Sequence, residues 1–360
     1  MDNNNYCVIL AGGLGKRFWP FSRKTQPKQF LDICGVGKTL LQLTFERVKR
    51  ICPVENIYVV TTHEYKCFVY EQLPNVSEEC IVLEPFKRNT APAIAYVNNI
   101  ILKRNVDANI ILTPSDHLIF NESEFYNSIE IGLNKLEGND VIIDIGVTPT
   151  RPSTSYDYIQ YIDNEEHQFV FDIKTFTEKP SLDMAKMFIK SDDFLWNTEI
   201  YIYSLSTIIK AFHLYLPDIN SMFAESFNYI GTSKEEEFID DIYSKCENIS
   251  IQRGVFEKAD NVKVLKSNMG WTDLGTWKSL YQNSKKDENE NLLLSDNIII
   301  NESKENIIKA GDKKLVVVQG LENFIVADTE DVLFICDRNK VSKIREILNE
   351  IKQKEMYQYL

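Results

Sequence analysis

Long apolar runs and paired cysteines are both missing from this 360-residue sequence. No stretch reaches the roughly 18 consecutive apolar residues that a membrane-spanning helix needs, so we expect no such helix. The amino-terminal sequence MDNNNYCVIL lacks the basic and apolar regions of a signal peptide. The seven cysteines form no C-x-x-C pair, which argues against a zinc site or a disulfide framework. We therefore expect a cytoplasmic protein that does not associate with membranes.

Basic residues are also scarce, since 40 Lys and Arg against 53 Asp and Glu give a net charge of −13. A nucleic-acid-binding surface needs basic patches, so we expect no nucleic acid partner. A protein of this charge that handles anionic substrates must concentrate its cations locally. The hydrophobic share of 44% is sufficient for one large α/β domain and a smaller module.

Such a local concentration follows the first apolar run, Val8–Leu10, which is typical of a buried strand. The run leads into Ala11-Gly12-Gly13-Leu14-Gly15, whose three glycines let backbone N–H groups approach an anion closely. Lys16, Arg17 and Lys28 supply positive charge nearby. The pattern predicts a phosphate-binding loop, although the glycines alone are equally typical of a tight turn.

Two familiar phosphate-binding loops are excluded by the residues that follow. No Gly-Lys-Ser/Thr occurs at the spacing of a P-loop. Pro20 and Pro27 interrupt the helix that a dinucleotide-binding fingerprint requires.

The segments Phe-Trp-Pro at 18–20 and Pro-Lys-Gln-Phe at 27–30 make the stretch resemble the signature loop of the mannose-1-phosphate guanylyltransferases. The resemblance implies that the loop wraps a nucleoside triphosphate, that Arg17 steadies the phosphates in the transition state and that Lys28 contacts phosphate. Lys16 departs from the family, which usually has a small hydroxyl residue there. The nucleotide contacts that the resemblance assigns here are Leu10, Ala11, Gly12, Gly13, Gly15 and Lys16.

Apolar strands and amphipathic helices alternate along the next 250 or so residues, which favours a layered α/β sheet. The predicted strands are 56–61, 80–83, 109–113, 141–147, 169–176 and 262–266, and the predicted helices are 39–51, 63–73, 90–104, 122–137 and 206–227. Together with the resemblance, the pattern predicts a Rossmann-like nucleotidyltransferase fold, a mixed sheet flanked by helices.

The hexapeptide Arg88-Asn89-Thr90-Ala91-Pro92-Ala93 begins one of these helices. Thr90 suits the N-cap and Pro92 suits the first turn. The same hexapeptide occurs in the family, where it lines the base and ribose pocket. The resemblance therefore implies nucleotide contacts for Asn89 and Thr90.

Ser115-Asp116-His117 follows a strand that stops at Pro114, at the strand end where open α/β sheets bind ligands. An isolated Asp after a strand is usually a turn or cap residue. The surrounding Leu-Thr-Pro-Ser-Asp-His resembles the family motif whose aspartate binds the catalytic Mg²⁺, and it implies a nucleotide contact for Ser115. We expect His117 to support the structure rather than to act as a base.

Trp271-Thr272-Asp273-Leu274-Gly275-Thr276-Trp277 resembles the motif that supplies the second magnesium ligand, Asp273. Asp273 could instead be only the N-cap of a helix predicted over 275–282. We favour the metal role because Asp116 is present as well.

The sugar-binding motifs are only partly retained. Glu178-Lys179-Pro180 resembles the family segment in which Glu contacts sugar hydroxyls and Lys contacts the sugar phosphate. The resemblance also implies a catalytic role for Lys179. The sugar-site residues implied by the resemblance are Tyr156, Asp157, Glu178, Asn197 and Glu199. Five positions in the sugar-binding loops differ from the family. Ser155, Asp157 and Glu199 stand where the family has glycine. Gln252 stands where it has aspartate, and Arg253 where it has an aromatic residue.

The charged run SKKDENEN at 284–291 is the best linker candidate. Short β runs at 297–301, 307–308, 315–319, 324–327 and 332–336 and a helix at about 339–354 follow it. We predict a catalytic domain over 1–284 and a small β-rich module over 292–360, of which a truncated β-helix is one form. Such a module is suited to packing or to homodimerisation.

The implied reaction is attack of a sugar-1-phosphate oxygen on the α-phosphorus of GTP, with Mg²⁺ as cofactor, giving GDP-mannose and pyrophosphate. Three explanations of the altered sugar loops stay open. The enzyme still makes GDP-mannose in a rebuilt pocket, it uses a different sugar- or polyol-phosphate, or it is a non-catalytic paralogue that binds nucleotide and regulates a partner.

Overall fold

Apolar runs rich in Val, Ile and Tyr become the strands, because β-branched and aromatic side chains pack well on a pleated surface. The structure is a computed structural model that describes residues 2–163, 169–311 and 314–360. The chain divides into two units. The first holds the residues up to Gly12, Phe45–Ser115 and Ile119–Trp271, and the second holds Gly13–Thr44, Asp116–Leu118 and Thr272–Leu360.

The strands are β1 Asn5–Leu10, β2 Ile57–Thr62, β3 Ile81–Glu84, β4 Asn109–Pro114, β5 Leu118–Ile119, β6 Ile142–Val147, β7 Tyr158–Ile162, β8 Val170–Thr177, β9 Phe194–Ser204, β10 Val262–Ser267, β11 Trp271–Thr272, β12 Leu292–Leu293, β13 Ile298–Asn301, β14 Ile307–Lys309, β15 Val316–Gln319, β16 Phe324–Asp328 and β17 Leu333–Asp337.

The helices are α1 Leu40–Val48, α2 Lys66–Gln72, α3 Thr90–Arg104, α4 Glu122–Leu136, α5 Leu182–Ser191, α6 Leu205–Tyr215, α7 Pro217–Ser226, α8 Glu235–Lys245, α9 Trp277–Asn283 and α10 Ile344–Gln353. Among the described residues, no helix has both the length and the apolar character to span a membrane.

A nine-stranded sheet in the order β3-β2-β1-β4-β9-β6-β10-β8-β7 organises the first unit. The pairs β1–β2, β2–β3, β1–β4 and β6–β10 are parallel, whereas β9 runs antiparallel to both β4 and β6. The sheet is therefore mixed, as the sequence predicts. In the parallel pair of β1 with β4, Leu10 lies opposite Pro114, so the segments that follow both strands start side by side.

The second unit has a core of large apolar side chains drawn from both ends of the sequence. Phe18 and Trp19 lie in it together with Trp277, Ile325 and Phe334. Its β module contains the sheet β12-β14-β16-β17, in which β12, β14 and β16 are parallel, and a parallel pair of β13 with β15. The β-rich carboxyl-terminal module predicted from the short β runs is therefore present.

Three local predictions are wrong at helix ends. The helix predicted over 206–227 is two helices, α6 and α7, because Pro217 occupies the first position of α7 and cannot continue the preceding helix. The N-cap of α3 is Asn89 and not Thr90. The helix predicted from Gly275 begins at Trp277 and is capped by Thr276, whose Oγ1 accepts a hydrogen bond from Ser279 N at 3.1 Å.

Candidate functional site

The glycine-rich loop begins where β1 ends, and its first residues are fixed by the sheet of the first unit. Ala11 N donates to Val60 O at 2.8 Å, and Ser115 N donates to Leu10 O at 3.0 Å. A Cβ at Gly12 would lie 3.5 Å from Oε2 of Glu84, which is ordinary contact. Glu84 is a buried carboxyl beside the loop that sequence reasoning did not single out.

The rest of the loop belongs to the second unit, where Gly15 has a real steric requirement. Its φ of 57° lies in the left-handed region, and a Cβ there would lie 2.7 Å from Cγ of Lys28. Gln29 is buried and donates from Nε2 to Gly13 O at 2.9 Å. Glycine at 15 therefore lets the loop close over the stem of Lys28, whereas Lys16 and Arg17 remain exposed.

Lys28 joins the two predicted metal ligands within the second unit. Its Nζ lies 2.8 Å from Oδ2 of Asp116 and donates to the main-chain oxygen of Asp273 at 3.0 Å. Lys28 and Asp273 are 245 positions apart in the sequence. The structure therefore brings together a lysine and two aspartates that the sequence placed in separate motifs.

The charge of Asp116 is stabilised by its surroundings. Burial works against the ionised form, but the Lys28 ammonium and His117, with further hydrogen bonds, outweigh it and lower the pKa of Asp116. His117 is buried, with Nε2 at 3.8 Å from Oδ1 of Asp116. This position beside the carboxylate agrees with the supporting part expected for His117.

Asp273 is held in place by the glycine that follows it. Its Oδ1 accepts a hydrogen bond from Gly275 N at 2.9 Å. A Cβ at Gly275 would overlap Oδ2 of Asp273 and lie 3.1 Å from Nη2 of Arg17. Gly275 thus leaves the space in which the Asp273 carboxylate and the Arg17 guanidinium both lie. Since Thr276 caps α9, the alternative in which Asp273 serves only as that cap is wrong.

The donor set of this cluster suits a magnesium-type ion bound jointly with phosphate. Mg²⁺ is commonly held by one or two carboxylates plus substrate phosphates rather than by an all-protein cage. Among the described residues, no group of three or more His, Cys, Asp or Glu side chains could hold a metal ion alone. Two aspartates around Lys28 match the first arrangement.

The first unit contains a pocket of about 430 Å³ next to the ends of β1 and β4. Leu10, Leu112 and Pro114 contribute to its lining. The predicted site residues that line it are Leu10, Asn89, Thr90, Asp157, Glu178, Lys179 and Glu199. Nucleotide-motif and sugar-motif residues from five separate segments therefore meet in one pocket.

Two other predicted sugar contacts, Tyr156 and Asn197, are not among the described residues that line this pocket. Tyr156 is buried and packs edge-on against Trp196 and Trp271, with ring centroids 4.9 and 5.0 Å apart. Asn197 is also buried and donates from Nδ2 to Gln252 Oε1 at 3.3 Å. Asn197 therefore contacts a residue of the pocket lining, Gln252, whereas Tyr156 packs against other aromatic rings.

Asn89 and Thr90 have separate local roles. Asn89 caps α3 with its Oδ1, which accepts from Thr90 N at 2.9 Å. The Thr90 hydroxyl accepts from Ile251 N at 2.9 Å, so it fixes the segment before Gln252 and is not available as the cap. These bonds order two sides of the pocket.

The residues that replace family glycines are built into the pocket by main-chain contacts. Oδ1 of Asp157 accepts from Lys179 N at 3.2 Å. Burial raises the pKa of Asp157, and Lys179 only partly opposes this. Glu199 has a φ of 56°, the left-handed conformation that favours glycine, and its N–H donates to Asn197 Oδ1 at 2.7 Å.

The two cations of the pocket are both paired with one carboxylate. Arg253 forms an ion pair with Glu178, and Nζ of Lys179 lies 3.7 Å from Oε1 of Glu178. Gln252 links the network outward by donating from Nε2 to Glu257 Oε1 at 3.0 Å. Arg253 and Gln252, flagged only as departures from the family pattern, are therefore part of the pocket wall.

Asp144 is a buried acidic residue near the pocket that sequence reasoning missed. It lies in β6 and pairs with Tyr201 of β9, which lines the pocket. The available signal was its position inside the apolar run Val-Ile-Ile-Asp-Ile-Gly-Val, since Asp is rare in a fully buried strand.

A larger groove of about 940 Å³ in the first unit does not involve these motifs. It runs along β3 and α8, and none of the predicted site residues lines it. Two of its polar side chains bind other lining residues: Tyr96 Oη donates to Glu235 at 2.6 Å, and Lys103 donates to Ile230 O at 2.6 Å. The predicted site residues therefore lie at the smaller pocket and at the Lys28 cluster, and not at this groove.

Comparison with protein families gives two matches along the chain. Residues 6–290 match the nucleotidyl transferase family, whose members generally use a divalent metal ion. Residues 296–351 match the MannoseP isomerase/GMP-like beta-helix domain. The parallel pairing of β12, β14 and β16 fits the second match.

Curated relatives and solved structures agree with the family matches. The chain is 31% identical to a mannose-1-phosphate guanylyltransferase of Escherichia coli over 96% of its own length and 75% of that protein. It is 32% identical to the alginate biosynthesis protein AlgA of Pseudomonas fluorescens over 96% of its length and 71% of that protein. A crystal structure described as mannose-1-phosphate geranyltransferase from Thermus thermophilus superposes with a TM-score of 0.87 and 26% identity, covering 97% of this chain and 99% of that one.

The predicted fold is thereby confirmed, and the chain is an enzyme of the transferase class. The order of the motifs and the mixed sheet agree with this similarity, which covers at least 96% of the chain and 71–75% of these curated relatives. This chain belongs to the mannose-1-phosphate guanylyltransferase family of nucleotidyl transferases.

Proposed function

We propose that this protein transfers the guanylyl group of GTP to mannose-1-phosphate, giving GDP-mannose and pyrophosphate. The observation that carries the proposal is the contact of one ammonium, Lys28 Nζ, with both aspartate positions of the family motifs. Curated relatives from Escherichia coli and Salmonella montevideo carry the name mannose-1-phosphate guanylyltransferase. The proposal divides the sequence into a catalytic part, 1–284, and the β-rich module, 292–360.

In the proposed reaction an oxygen of the sugar phosphate attacks the α-phosphorus of GTP. The bond from the α-phosphorus to the bridging oxygen breaks, and its electron pair leaves with pyrophosphate. The attacking phosphate is already ionised, so no side chain has to remove a proton. Catalysis then consists of positioning and charge neutralisation, in which Arg17 and Lys28 act on the triphosphate and Lys179 acts on the sugar phosphate.

We propose Mg²⁺ as the divalent ion, held by Asp116 and Asp273. When bound, it would neutralise charge on the phosphate oxygens. Lys28 and His117 keep Asp116 ionised, as a hard cation requires of its ligand. Gly275 keeps the Asp273 carboxylate in place.

The remaining site residues are proposed to bind the substrates. The nucleotide contacts are Leu10, Ala11, Gly12, Gly13, Gly15, Lys16, Asn89, Thr90 and Ser115. The sugar contacts are Tyr156, Asp157, Glu178, Asn197 and Glu199. The pocket supports these assignments, because residues of both groups line it: Asn89 and Thr90 from the first, Glu178 and Glu199 from the second.

We also propose a cytoplasmic location and a homodimer formed through the β module. All seven cysteines are free thiols, which suits a reducing compartment. In the module, Ile299 and Val317 are paired neighbours on β13 and β15, and both side chains are about half exposed, at 48% and 59%. An exposed apolar pair of this kind is suited to contact with a second copy.

The test is pyrophosphate release from GTP and Mg²⁺ with mannose-1-phosphate, compared with ATP and UTP. We expect turnover with GTP, and loss of at least 100-fold in kcat for Asp116→Asn. Asp183→Asn, an exposed aspartate on α5, is the matched control and should retain full activity. Binding of GTP without pyrophosphate release from any sugar-1-phosphate would overturn the proposal and favour a nucleotide-binding regulator.

A further inference from the structure

Arg253 lines the pocket of the first unit and lies on a single π-helical turn, Gln252–Phe256. Its main chain is fixed, because Arg253 N donates to Ser250 Oγ at 3.3 Å. A Cβ at Gly254 would lie 2.8 Å from Cδ1 of Leu216, so the turn packs closely against that side chain. The Arg253 side chain therefore extends from an ordered backbone, and it is 64% exposed.

In the described part of the chain, the cations that line this pocket are Lys179 and Arg253. The acidic residues that line it are Asp157, Glu178, Glu199 and Glu247. Because like charges repel, an incoming phosphate is disfavoured beside most of these side chains. Lys179 and Arg253 both lie beside Glu178, so the positive charge of the pocket is concentrated in one region.

Glu178 does not use all the donors of the two cations. The Arg253 guanidinium bonds to Glu178 through Nη2, and its other N–H groups have no partner among the described residues. Nζ of Lys179 lies 3.7 Å from Oε1 of Glu178, which is beyond hydrogen-bonding distance. A guanidinium carries five N–H donors in a planar fork that matches two oxygens of a phosphate. Two cations beside one carboxylate therefore leave one positive charge in excess, with donors still available to an anion.

The replacements in the sugar-binding loops compensate one another in formal charge. Asp157 and Glu199 stand where the family has glycine, so together they add two negative charges. Gln252 stands where the family has aspartate and Arg253 where it has an aromatic residue. These two changes remove one negative charge and add one positive charge. The sum over the four positions is therefore the same as in the family pattern, and Arg253 supplies the only added cation of the four.

Hydrogen bonds connect the replaced residues to the pocket. Asn197 joins two of them, since its Oδ1 accepts from Glu199 N at 2.7 Å and its Nδ2 donates to Gln252 Oε1 at 3.3 Å. Oδ1 of Asp157 accepts from Lys179 N at 3.2 Å. Lys179 has a φ of 37°, in the left-handed region, so this bond helps to hold an unfavourable backbone conformation. Asp157 thereby orders the residue that carries one of the two cations.

We propose that Arg253 binds the phosphate of the sugar-1-phosphate together with Lys179, and that its charge offsets the carboxylates of Asp157 and Glu199. The inference rests on the proposed guanylyl transfer and assigns a further binding residue to its second substrate. The phosphate oxygens take the guanidinium donors that Glu178 leaves unused. An aromatic side chain at this position would supply no positive charge, so the contact distinguishes this chain from the family pattern. Arg253 takes part in binding only, and the bonds made and broken stay those of the proposed reaction.

The test measures the KM of each substrate in pyrophosphate release by the full chain with GTP, Mg²⁺ and mannose-1-phosphate. Arg253→Gln removes the charge, and we expect it to raise the KM for mannose-1-phosphate by about tenfold or more. The KM for GTP should change by less than about twofold, because the lost contact belongs to the other substrate. Arg253→Lys keeps the charge without the planar fork and should fall between the parent and Arg253→Gln. Arg345→Gln, at an exposed position on α10, is the matched control and should leave both KM values unchanged.

Two further measurements separate phosphate binding from a general effect on the pocket. Inorganic phosphate, used as a competitive inhibitor against mannose-1-phosphate, should have its Ki raised in Arg253→Gln, although it makes no sugar contacts. Glu199→Gly removes one carboxylate and relieves the positive φ. In that background Arg253→Gln should raise the KM for mannose-1-phosphate by a smaller factor, because there is less negative charge to offset. Glu130→Gln, at an exposed position on α4, is the control background and should leave the full factor in place.

The outcomes distinguish failure of this inference from failure of the proposed function. If Arg253→Gln leaves the KM for mannose-1-phosphate unchanged, or raises the KM of both substrates equally, Arg253 does not bind the phosphate and guanylyl transfer still stands. If the parent releases no pyrophosphate with any sugar-1-phosphate although GTP binds, guanylyl transfer itself is wrong, and the inference falls with it.

Discussion

Arg23 and Asp331 lie 308 positions apart in the sequence and form a two-pronged salt bridge, with Nη1–Oδ2 and Nη2–Oδ1 distances of 2.7 and 2.6 Å. A second tie lies close by, where Trp19 Nε1 donates to Tyr359 O at 2.7 Å. The ring of Trp19 packs edge-on against Phe334, with centroids 5.3 Å apart. Within the second unit, the loop that bears Arg17 and Lys28 is therefore anchored on the carboxyl-terminal module.

We expect a double-mutant cycle of Arg23→Ala and Asp331→Ala to give a coupling free energy of about 0.5–1.5 kcal/mol, measured by urea unfolding at pH 7. The value is modest because the side chain of Asp331 is 41% exposed. The exposed pair Lys66 and Glu78 is the control, with a coupling near zero.

The same salt bridge has a defined pH dependence. The hydrogen bonds from Arg23 come first in lowering the pKa of Asp331 to about 2, below its unfolded value of 3.8. A carboxyl group with a lowered pKa stabilises the folded state fully when the pH is above the pKa of the unfolded state. This stabilisation is lost as the pH falls through the pKa of the folded state. The coupling should therefore be complete at pH 7 and decline below about pH 4; a coupling that does not change at low pH would contradict the assignment.

Gly275→Ala is expected to lower kcat/KM for pyrophosphate release by about 100-fold or more, because misplacing catalytic groups by about 1 Å has effects of this size. The added methyl group would displace both the Asp273 carboxylate and the Arg17 guanidinium. Gly311→Ala, in the same unit with open space around it, is the matched control. Thermal unfolding of both variants should stay near that of the parent, and an unchanged kcat/KM would show that this contact is not needed.

Asp273→Asn should raise the Mg²⁺ concentration needed for half-maximal activity by at least tenfold, because the amide keeps the shape but removes the charge that binds the cation. Stability should change by less than about 1 kcal/mol, since Thr276 and not Asp273 caps α9. Thr276→Ala provides the reciprocal variant: it should cost about 1 kcal/mol of stability and leave the Mg²⁺ requirement unchanged. The reverse pattern would assign Asp273 to the helix cap.

Glu84→Gln is expected to stabilise the protein increasingly as the pH rises. Burial is the main cause that raises the pKa of Glu84 to about 8 in the folded state, against an unfolded value of 4.5. A carboxyl group with a raised pKa makes its full contribution to folding when the pH is below the pKa of the unfolded state. This contribution is lost as the pH rises from about 4.5 to 8.

The measurement is urea unfolding of the parent and the variant at pH 5 and pH 8. The difference in unfolding free energy should grow by a few kcal/mol across this interval, at most about 1.4 kcal/mol per pH unit. Glu130→Gln on the exposed face of α4 should show a difference below about 0.5 kcal/mol at both pH values. Equal pH profiles for Glu84→Gln and the parent would mean that Glu84 ionises normally in the folded protein.

Helix ends show where local reasoning failed. Thr90 has the right residue type for an N-cap, but its hydroxyl is taken by Ile251 N, and Asn89 caps α3 instead. The contact joins residues 161 positions apart, so no local pattern could indicate it. Pro217, by contrast, was visible in the sequence and its chain-breaking effect could have been predicted.

The pocket shows what resemblance could and could not supply. Asn89, Thr90, Glu178 and Lys179 were named from motifs and do line one pocket. Asp144 lies in no motif, and only the register of β6 with β9 places it beside Tyr201. The sequence shows an unusual Asp within an apolar run, but it does not show which residues this Asp lies beside.

The sequence by itself predicted the parallel strands of the large sheet, several helices and the glycine-rich loop with its nearby cations. It predicted no element at β7, β9, α5 or α8. The predicted features follow from local periodicity, from the conformational freedom of glycine and from side-chain chemistry. All three depend only on residues that are close together in the sequence. Only the tertiary structure decided that Lys28 meets Asp116 and Asp273, that Arg23 meets Asp331 and that Asp144 lies beside Tyr201. Strand register and core packing fix such long-range pairs, because one strand pattern is compatible with many partners until burial selects among them.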